Sequence, residues 1–404
     1  MLNLWRDMGR DTRWVMVSYW LWGVGEGLWL YMQPLYVKSL GATPAQTGVV
    51  LSMWGMARLI FILPVGILAD RSSARRLMLP GWYTGLVGVL MIAIAPDWRW
   101  AIPGFFLYGL SAVAIPITNL YLTQSLRHDP TRNPTLPIQA SLTALWAAYS
   151  AGLVVSPTVG GLIGDAIGLR AVFICSTVGF ALSTAAILRT TDYPAPVRPA
   201  HEHTNRAALR QWPLLSPFIL VTLVFVALYL GQTLSSQYLE EVDRFSRASI
   251  GAFGSLNALG TAVISLGLGG LSSWRAFFAS LLLVALSFVL LLVSGAWPVV
   301  VVAYFLLGAY NAARPLAVSI ISERVPEHLR GTAYALVDTL AGLAYLLGNV
   351  AAGALYGIDP RWPFWAGIAG IVVSFLFARL IPRLSPERNP EAHAAYISVE
   401  PEVE

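Results

Sequence analysis

Cysteine, lysine and charge of either sign are all scarce in this chain. Its 404 residues hold one cysteine, Cys175, inside an apolar run. That excludes a disulfide framework and a thiolate metal site and leaves packing as its role. Lysine occurs once, at Lys38, so the excess behind a formal net charge of +5 is almost all arginine. The arginines cluster near the ends of apolar runs, which fits membrane topology rather than nucleic-acid binding. Charged residues make up 12% of the chain against 56% hydrophobic, with a mean hydropathy of +0.65. A soluble globule needs a charged surface that this composition cannot supply, so the chain reads as a polytopic membrane protein in contact with the lipid bilayer. Also missing are a phosphate-cradling glycine loop, Cys/His metal spacing and a nucleophile elbow. Their absence removes support for ATP-driven transport, for catalysis and for a metal or cofactor. His201-Glu202-His203 sits in a polar stretch and reads as solvated. No small-residue cleavage site follows the first apolar run, so no signal peptide is expected.

What the sequence does have is apolar runs of spanning length. Each crossing takes roughly 20 residues, so about twelve use up nearly the whole chain. They fall near 14–37, 46–69, 77–95, 101–124, 138–163 and 171–188, then near 215–238, 249–271, 276–294, 298–322, 332–356 and 362–381. The expected fold is therefore all-α, with twelve transmembrane helices in two pseudo-symmetric six-helix bundles. One bundle covers 1–189 and the other 215–382. A proline- and arginine-rich linker covers 190–214, and a solvated acidic tail 383–404. Arginine asymmetry puts both termini and the linker in the cytoplasm of a cell whose inner membrane holds the chain.

The two halves repeat each other. Gly48 through Arg71 aligns with Gly251 through Trp274, Tyr108-Gly109 to Ile115-Pro116 with Leu307-Gly308 to Arg314-Pro315, and Gly161 with Gly353. A parallel six-helix repeat with a central linker forms a small-molecule site between its halves at mid-membrane.

Gly66-Ile-Leu-Ala-Asp70-Arg71-Ser-Ser-Ala-Arg75-Arg76 interrupts two apolar runs with a burst of charge. Glycine allows close helix approach, Asp70 can bond freed amides at a neighbouring helix end, and the arginines stay in the headgroup layer, so the turn reads as a latch. It resembles the loop between helices 2 and 3 of the major facilitator superfamily, Gly-x-x-x-Asp-Arg-x-x-Arg-Arg. The second copy has Ser273 and Trp274 where the first has Asp70 and Arg71, so the gate is expected to be asymmetric. Gly152-Leu-Val-Val-Ser156-Pro157-Thr-Val-Gly160-Gly161 resembles the helix-5 motif of drug and proton antiporters in that superfamily, with Ser156 replacing a glycine. The resemblance implies that fold, transport by alternating access, and export.

Ionisable residues inside spans mark pathways and relays, because a charge there costs several kcal/mol unless it is paired, hydrated or protonated. Glu26 lies about twelve residues into helix 1, roughly 18 Å along its axis. Trp22, Glu26, Trp29 and Gln33 share one face, expected to line a cavity. Arg58, with Trp54 a turn away, lies at nearly the same depth and is a reasonable partner for Glu26. Arg314 and Asp338 form a second expected pair in the other half. Glu26, and after it Asp338, is the candidate proton carrier. Asn119, Trp146, Gln232, Asn257, Asn311 and Tyr334 are further candidates for the substrate cavity.

The reading is a monomeric secondary transporter that couples protons to efflux of amphipathic or aromatic small molecules. Its partners are the substrate and protons, without cofactor, metal or nucleic acid. The alternative is proton-coupled uptake of an organic anion or sugar, with Arg58 and Arg314 as ligand contacts; a lipid flippase or a non-transporting receptor ranks below both.

Overall fold

The computed structural model describes residues 5, 7–69, 72–129, 131, 133, 138–193, 212–322, 325 and 330–381, and these contain helices and no strand. The first half carries α1 (Arg10–Leu30), α2 (Gln33–Ser39), α3 (Pro44–Ala69), α4 (Ala74–Ile94), α5 (Trp98–Ser111), α6 (Ala114–His128), α7 (Ile138–Ala166) and α8 (Leu169–Ile187). The second carries α9 (Trp212–Gln232), α10 (Ser235–Glu241), α11 (Arg247–Leu268), α12 (Ser273–Val293), α13 (Trp297–Leu307), α14 (Ala309–Ser322), α15 (Arg330–Ile358) and α16 (Trp362–Leu380). Among the described residues, eleven segments are long and apolar enough to cross a membrane. The twelfth place belongs to α1 with α2, which carries Asp11, Arg13 and Glu26 and packs against α7 and α8. Its low hydropathy reflects the polar residues that a core-facing span carries.

Four spans are broken, and at matching places in the two halves: α1 from α2, α5 from α6, α9 from α10, and α13 from α14. Proline frees the carbonyl four residues before it and crowds that turn. Pro34 and Pro116 lie just beyond two of the breaks; the third falls at Gly308, which packs against the Gly260–Thr261 backbone, with Pro315 further on inside α14. At the fourth, the Thr233 hydroxyl bonds back to the Tyr229 carbonyl at 2.7 Å beside the Thr233 amide at 3.1 Å, and it also reaches Asn349.

The halves join along two seams, α3 on α15 and α7 on α11. Glycines set both. A Cβ on Gly48 would stand 3.0 Å from the Gly353 Cα, and one on Gly251 would stand 3.0 Å from the Gly161 Cα. Gly48 and Gly251 are equivalent in the repeat, as are Gly161 and Gly353, so one helix-on-helix contact is used twice. Polar bonds between the halves cluster at the end away from the expected linker. There Lys38 Nζ lies 2.6 Å from Glu241, Arg247 Nη1 donates to the Gly164 carbonyl at 3.1 Å, and the amides of Arg247 and Ala248 donate to Asp165 at 3.0 and 2.9 Å. Tyr31 donates to Asn257 at 2.9 Å, and the Thr158 and Ser255 hydroxyls meet at 2.7 Å. Among the described residues, no hydrogen bond or ion pair crosses between the halves at the linker end. Residues 194–211 of the expected linker, and the tail from 382, lie outside the described residues.

Candidate functional site

The face that α1 turns to the middle of the molecule is fixed by its contact with α7. A Cβ on Gly152 would lie 2.7 Å from the Trp20 carbonyl oxygen and from the Val24 nitrogen, one on Gly27 would run into Ser156 Oγ, and one on Gly160 into the Leu28 carbonyl. Ser156 turns its hydroxyl back onto the Gly152 carbonyl at 2.6 Å. On its other side α7 offers the Pro157 carbonyl and Gly161 to Gly251 of α11. The stretch from Gly152 to Gly161 therefore lies flush on span 1 with one face and on the opposite half with another.

This contact brings Tyr149 of α7 to Glu26. The carboxylate is buried, and the Tyr149 hydroxyl donates to it at 2.7 Å. Tyr108 and Trp22 adjoin the same carboxyl. Trp22 stands edge-on to Phe180 at 4.5 Å and to Trp82 at 5.4 Å between ring centroids. The expected pair with Arg58 is not formed: no cation among the described residues lies within ion-pair distance of Glu26. Equal depth along two helices does not make two side chains face each other. Glu26 points from α1 towards α7, whereas Arg58 sits on the seam between α3 and α15, where its Cβ is 3.4 Å from the Cβ position at Gly342.

Arg58 thus belongs electrostatically to the other half. Its charged neighbours are Arg314 of α14 and Asp338 of α15, with Tyr229 and Tyr310 around them. Arg314 donates to Asp338 in a close ion pair. Tyr229 lies edge-on to Tyr345 at 4.7 Å and to Tyr310 at 5.7 Å, and Tyr345 meets Trp54 at 4.9 Å across the seam. Trp54 is 6.1 Å from Tyr108, which stacks on Trp22 at 6.3 Å. An aromatic chain therefore runs from the Glu26 pocket to the Arg314–Asp338 pair, with Arg58 beside its middle.

Other expected cavity residues are placed differently. Trp29 is 1% exposed, wedged among Phe105, Tyr108 and Phe173 in the first-half core. It is packing, because its neighbour α8 covers that side of α1. Asn257 is spent on the seam, accepting from Tyr31 and donating to the Tyr304 carbonyl at 3.2 Å. Gln33 is buried in α2, beyond the break. Gln232 ends α9, its carbonyl taken by Ser235. Asn311 is exposed and donates to Thr261 at 3.1 Å, and Tyr334 is exposed near the start of α15. Trp146 is partly exposed beside Tyr149 at 5.9 Å, and Asn119 has a buried, unpartnered Oδ1. Of the latch, Gly66 lies in α3, while Asp70 and Arg71 lie outside the described residues. Arg75 donates to the Leu188 carbonyl at 3.1 Å and Arg76 to Asp192 at 3.3 Å, tying the start of α4 to the end of α8. Among the described residues, no group of His, Cys, Asp and Glu has a metal-binding arrangement.

Tyr149, Tyr108, Tyr229, Tyr310 and Tyr345 were not singled out by sequence. Tyr149 lies three residues after Trp146 and three before Gly152, on the same helical face, which is the signal that marks it.

The family model described as Major Facilitator Superfamily matches residues 15–276 and 246–399. The chain belongs to this superfamily. The quinolone resistance protein NorA of Staphylococcus aureus (strain MSSA476) is 21% identical over 374 residues, covering 87% of this chain and 92% of NorA. The multi-drug resistance efflux pump PmrA of Streptococcus pneumoniae is 26% identical over 188 residues, 46% of this chain and 44% of PmrA. Among solved structures, the nucleoside transporter NupG has a TM-score of 0.75 at 14% identity, covering 92% of this chain and 98% of NupG. The POT family transporter PepTSo has a TM-score of 0.71 at 12% identity, covering 94% and 99%. These likenesses at low identity show the superfamily fold. The chain is accordingly a multi-pass membrane transporter of small molecules.

Proposed function

We propose that this chain is a proton-coupled exporter of amphipathic or aromatic small molecules, working as a monomer by alternating access in the cell's inner membrane. The observation that carries the reading is Glu26: a carboxyl buried in a span, held by a phenol and, among the described residues, without a cation. An ionised carboxylate in such a place is costly, and exchanging a proton is the inexpensive way to move it between environments. The aromatic chain from Trp22 to Tyr310 supplies flat apolar faces beside it, suited to ring-bearing ligands. The low-identity relatives named for quinolone resistance and multi-drug efflux support the export direction. With both termini and the linker in the cytoplasm, the bonds at the far end close the outer side, and the arrangement is the inward-facing one. A ligand then enters from the cytoplasm and stacks on the aromatic chain. Release outside requires the Lys38 and Arg247 bonds to part and the linker ends to close.

In proteoliposomes with an imposed pH gradient, the wild-type chain should drive an aromatic dye against its concentration, and Glu26→Gln should abolish this while counterflow exchange of dye continues. Gradient-driven movement undiminished in Glu26→Gln would place the proton elsewhere, with Asp338 the next group to test.

A further inference from the structure

Arg58 is the charge that the export reading leaves unused. The Gly55 and Gly342 backbones meet at the seam: a Cβ on Gly55 would lie 2.6 Å from the Gly342 carbonyl oxygen and 3.0 Å from the Tyr345 Cβ. That approach carries Arg58 out of its own half and into the field of Arg314 and Asp338. Asp338 is already engaged by Arg314, so two guanidinium groups share one carboxylate and, among the described residues, one positive charge is left without a counterion. Glu26 does not supply it, since it is held by Tyr149 on α7. Arg58 Nε is fully buried and has no hydrogen-bond partner. Four residues earlier, on the same face of α3, Trp54 Nε1 is also buried and unpartnered. Both orphaned groups are donors, and buried donors without acceptors are costly. What satisfies them is an incoming group made of acceptor oxygens. A guanidinium fork matches a carboxylate, which it binds through two parallel bonds, and the Trp54–Tyr345 pair, edge-to-face at 4.9 Å, offers ring faces one helical turn from Arg58.

We propose that Arg58, with Trp54, docks the carboxylate of a flat organic acid, so that aromatic carboxylates belong to the ligand range of this chain. The proposal rests on the transporter reading above and names a substrate class for its site. Organic cations would have no use for this pair of donors, and a neutral ring would leave the guanidinium uncompensated.

The test is calorimetric titration of the purified full chain in detergent with matched pairs, 1-naphthoate against 1-naphthamide and indole-3-acetate against indole-3-acetamide. The carboxylate should bind about tenfold more tightly than its amide, or better. Arg58→Gln should bring the ratio to about one, while Arg58→Lys keeps part of it. A wild-type ratio near one, absence of binding by every carboxylate at millimolar concentration, or an undiminished ratio in Arg58→Gln overturns the proposal. Should Arg58→Gln not fold, the wild-type ratio and the Lys variant decide. Dye extrusion driven by a pH gradient is measured separately. Extrusion without a carboxylate preference sinks the subsite and leaves the export reading standing, and a carboxylate preference without extrusion does the reverse.

Discussion

Glu26 and Tyr149 form a bond whose strength sets how firmly the buried carboxyl is held. A hydrogen bond to a charged group is worth roughly 1.5–3 kcal/mol. Tyr149→Phe keeps the ring and its contact with Trp146 but removes the donor, so gradient-driven transport should fall by about tenfold or more, with binding of an uncharged ligand changing less. Initial rates in proteoliposomes check this; a rate within twofold of wild type would mean that the bond is ornamental. A second residue-scale prediction concerns Asp129, outside the spans. Burial pushes its carboxyl up, but bonds from the Thr131 hydroxyl and amide and from the Asp11 amide, with Arg13 nearby, outweigh that and hold it below the usual carboxylate range. A carboxyl depressed in the folded state stabilises above its unfolded value and loses that contribution as pH falls through the folded one. Protection of the amides at residues 10–13, measured against their intrinsic exchange rate at each pH, should therefore be high at neutral pH and fall in acid. Asp129→Asn should show low protection at every pH, and an acid-sensitive protection in the Asn variant would assign the effect to another group.

At the scale of elements, the seams make a symmetric demand. Gly48 and Gly251 occupy equivalent places, and any Cβ there meets backbone at 3.0 Å or closer. Backbone cannot swing aside as a flexible side chain does. Gly48→Val and Gly251→Val should each part the ends away from the linker, to a similar extent, and each should lower the thermal unfolding midpoint. Distances between spin labels across that end measure the first effect, and unchanged distributions would show that the seam repacks freely. The repeat that aligns Gly48 with Gly251 and Gly161 with Gly353 was legible in the sequence, and apolar run length marked the spans; that these glycines meet across the seams was not. The four breaks were not. A proline marks a weakened turn, but whether the helix restarts in line depends on neighbours such as Asn349 that lie far away in sequence. The site was legible by halves. Arg314 and Asp338 were expected together and meet, since depth and helix face agree for both. Glu26 and Arg58 agree in depth alone, and their helices turn different faces to each other. Tyr149 is one of 16 tyrosines, and its three-residue spacing from Trp146 and from Gly152 alone sets it apart.

Over the whole molecule, one end is bonded across the halves and the other, among the described residues, is not. The Lys38 contacts are partly exposed, with 38% of the lysine side chain accessible, so each is worth about 1 kcal/mol or less. Removing Lys38 and the Arg247 side chain together by Lys38→Gln and Arg247→Gln should shift the population towards the state open at that end by up to about tenfold. The amide bonds to Asp165 survive that change, which keeps the chain folded for the measurement by labelling of engineered cysteines at that end. Equal labelling in both proteins would mean that the glycine seams alone hold the closure.

The placement of Arg58 has one more consequence. It is covalently part of one half, and its charged neighbours belong to the other, so a rocking motion cannot leave its surroundings unchanged. A charge that shifts at mid-membrane moves through the transmembrane electric field, where crossing the full field at 100 mV is worth about 2.3 kcal/mol per elementary charge. Even a small fraction of that path makes the balance between the two states voltage-dependent. The conformational cycle then carries a displacement current of its own, independent of any ion it transports.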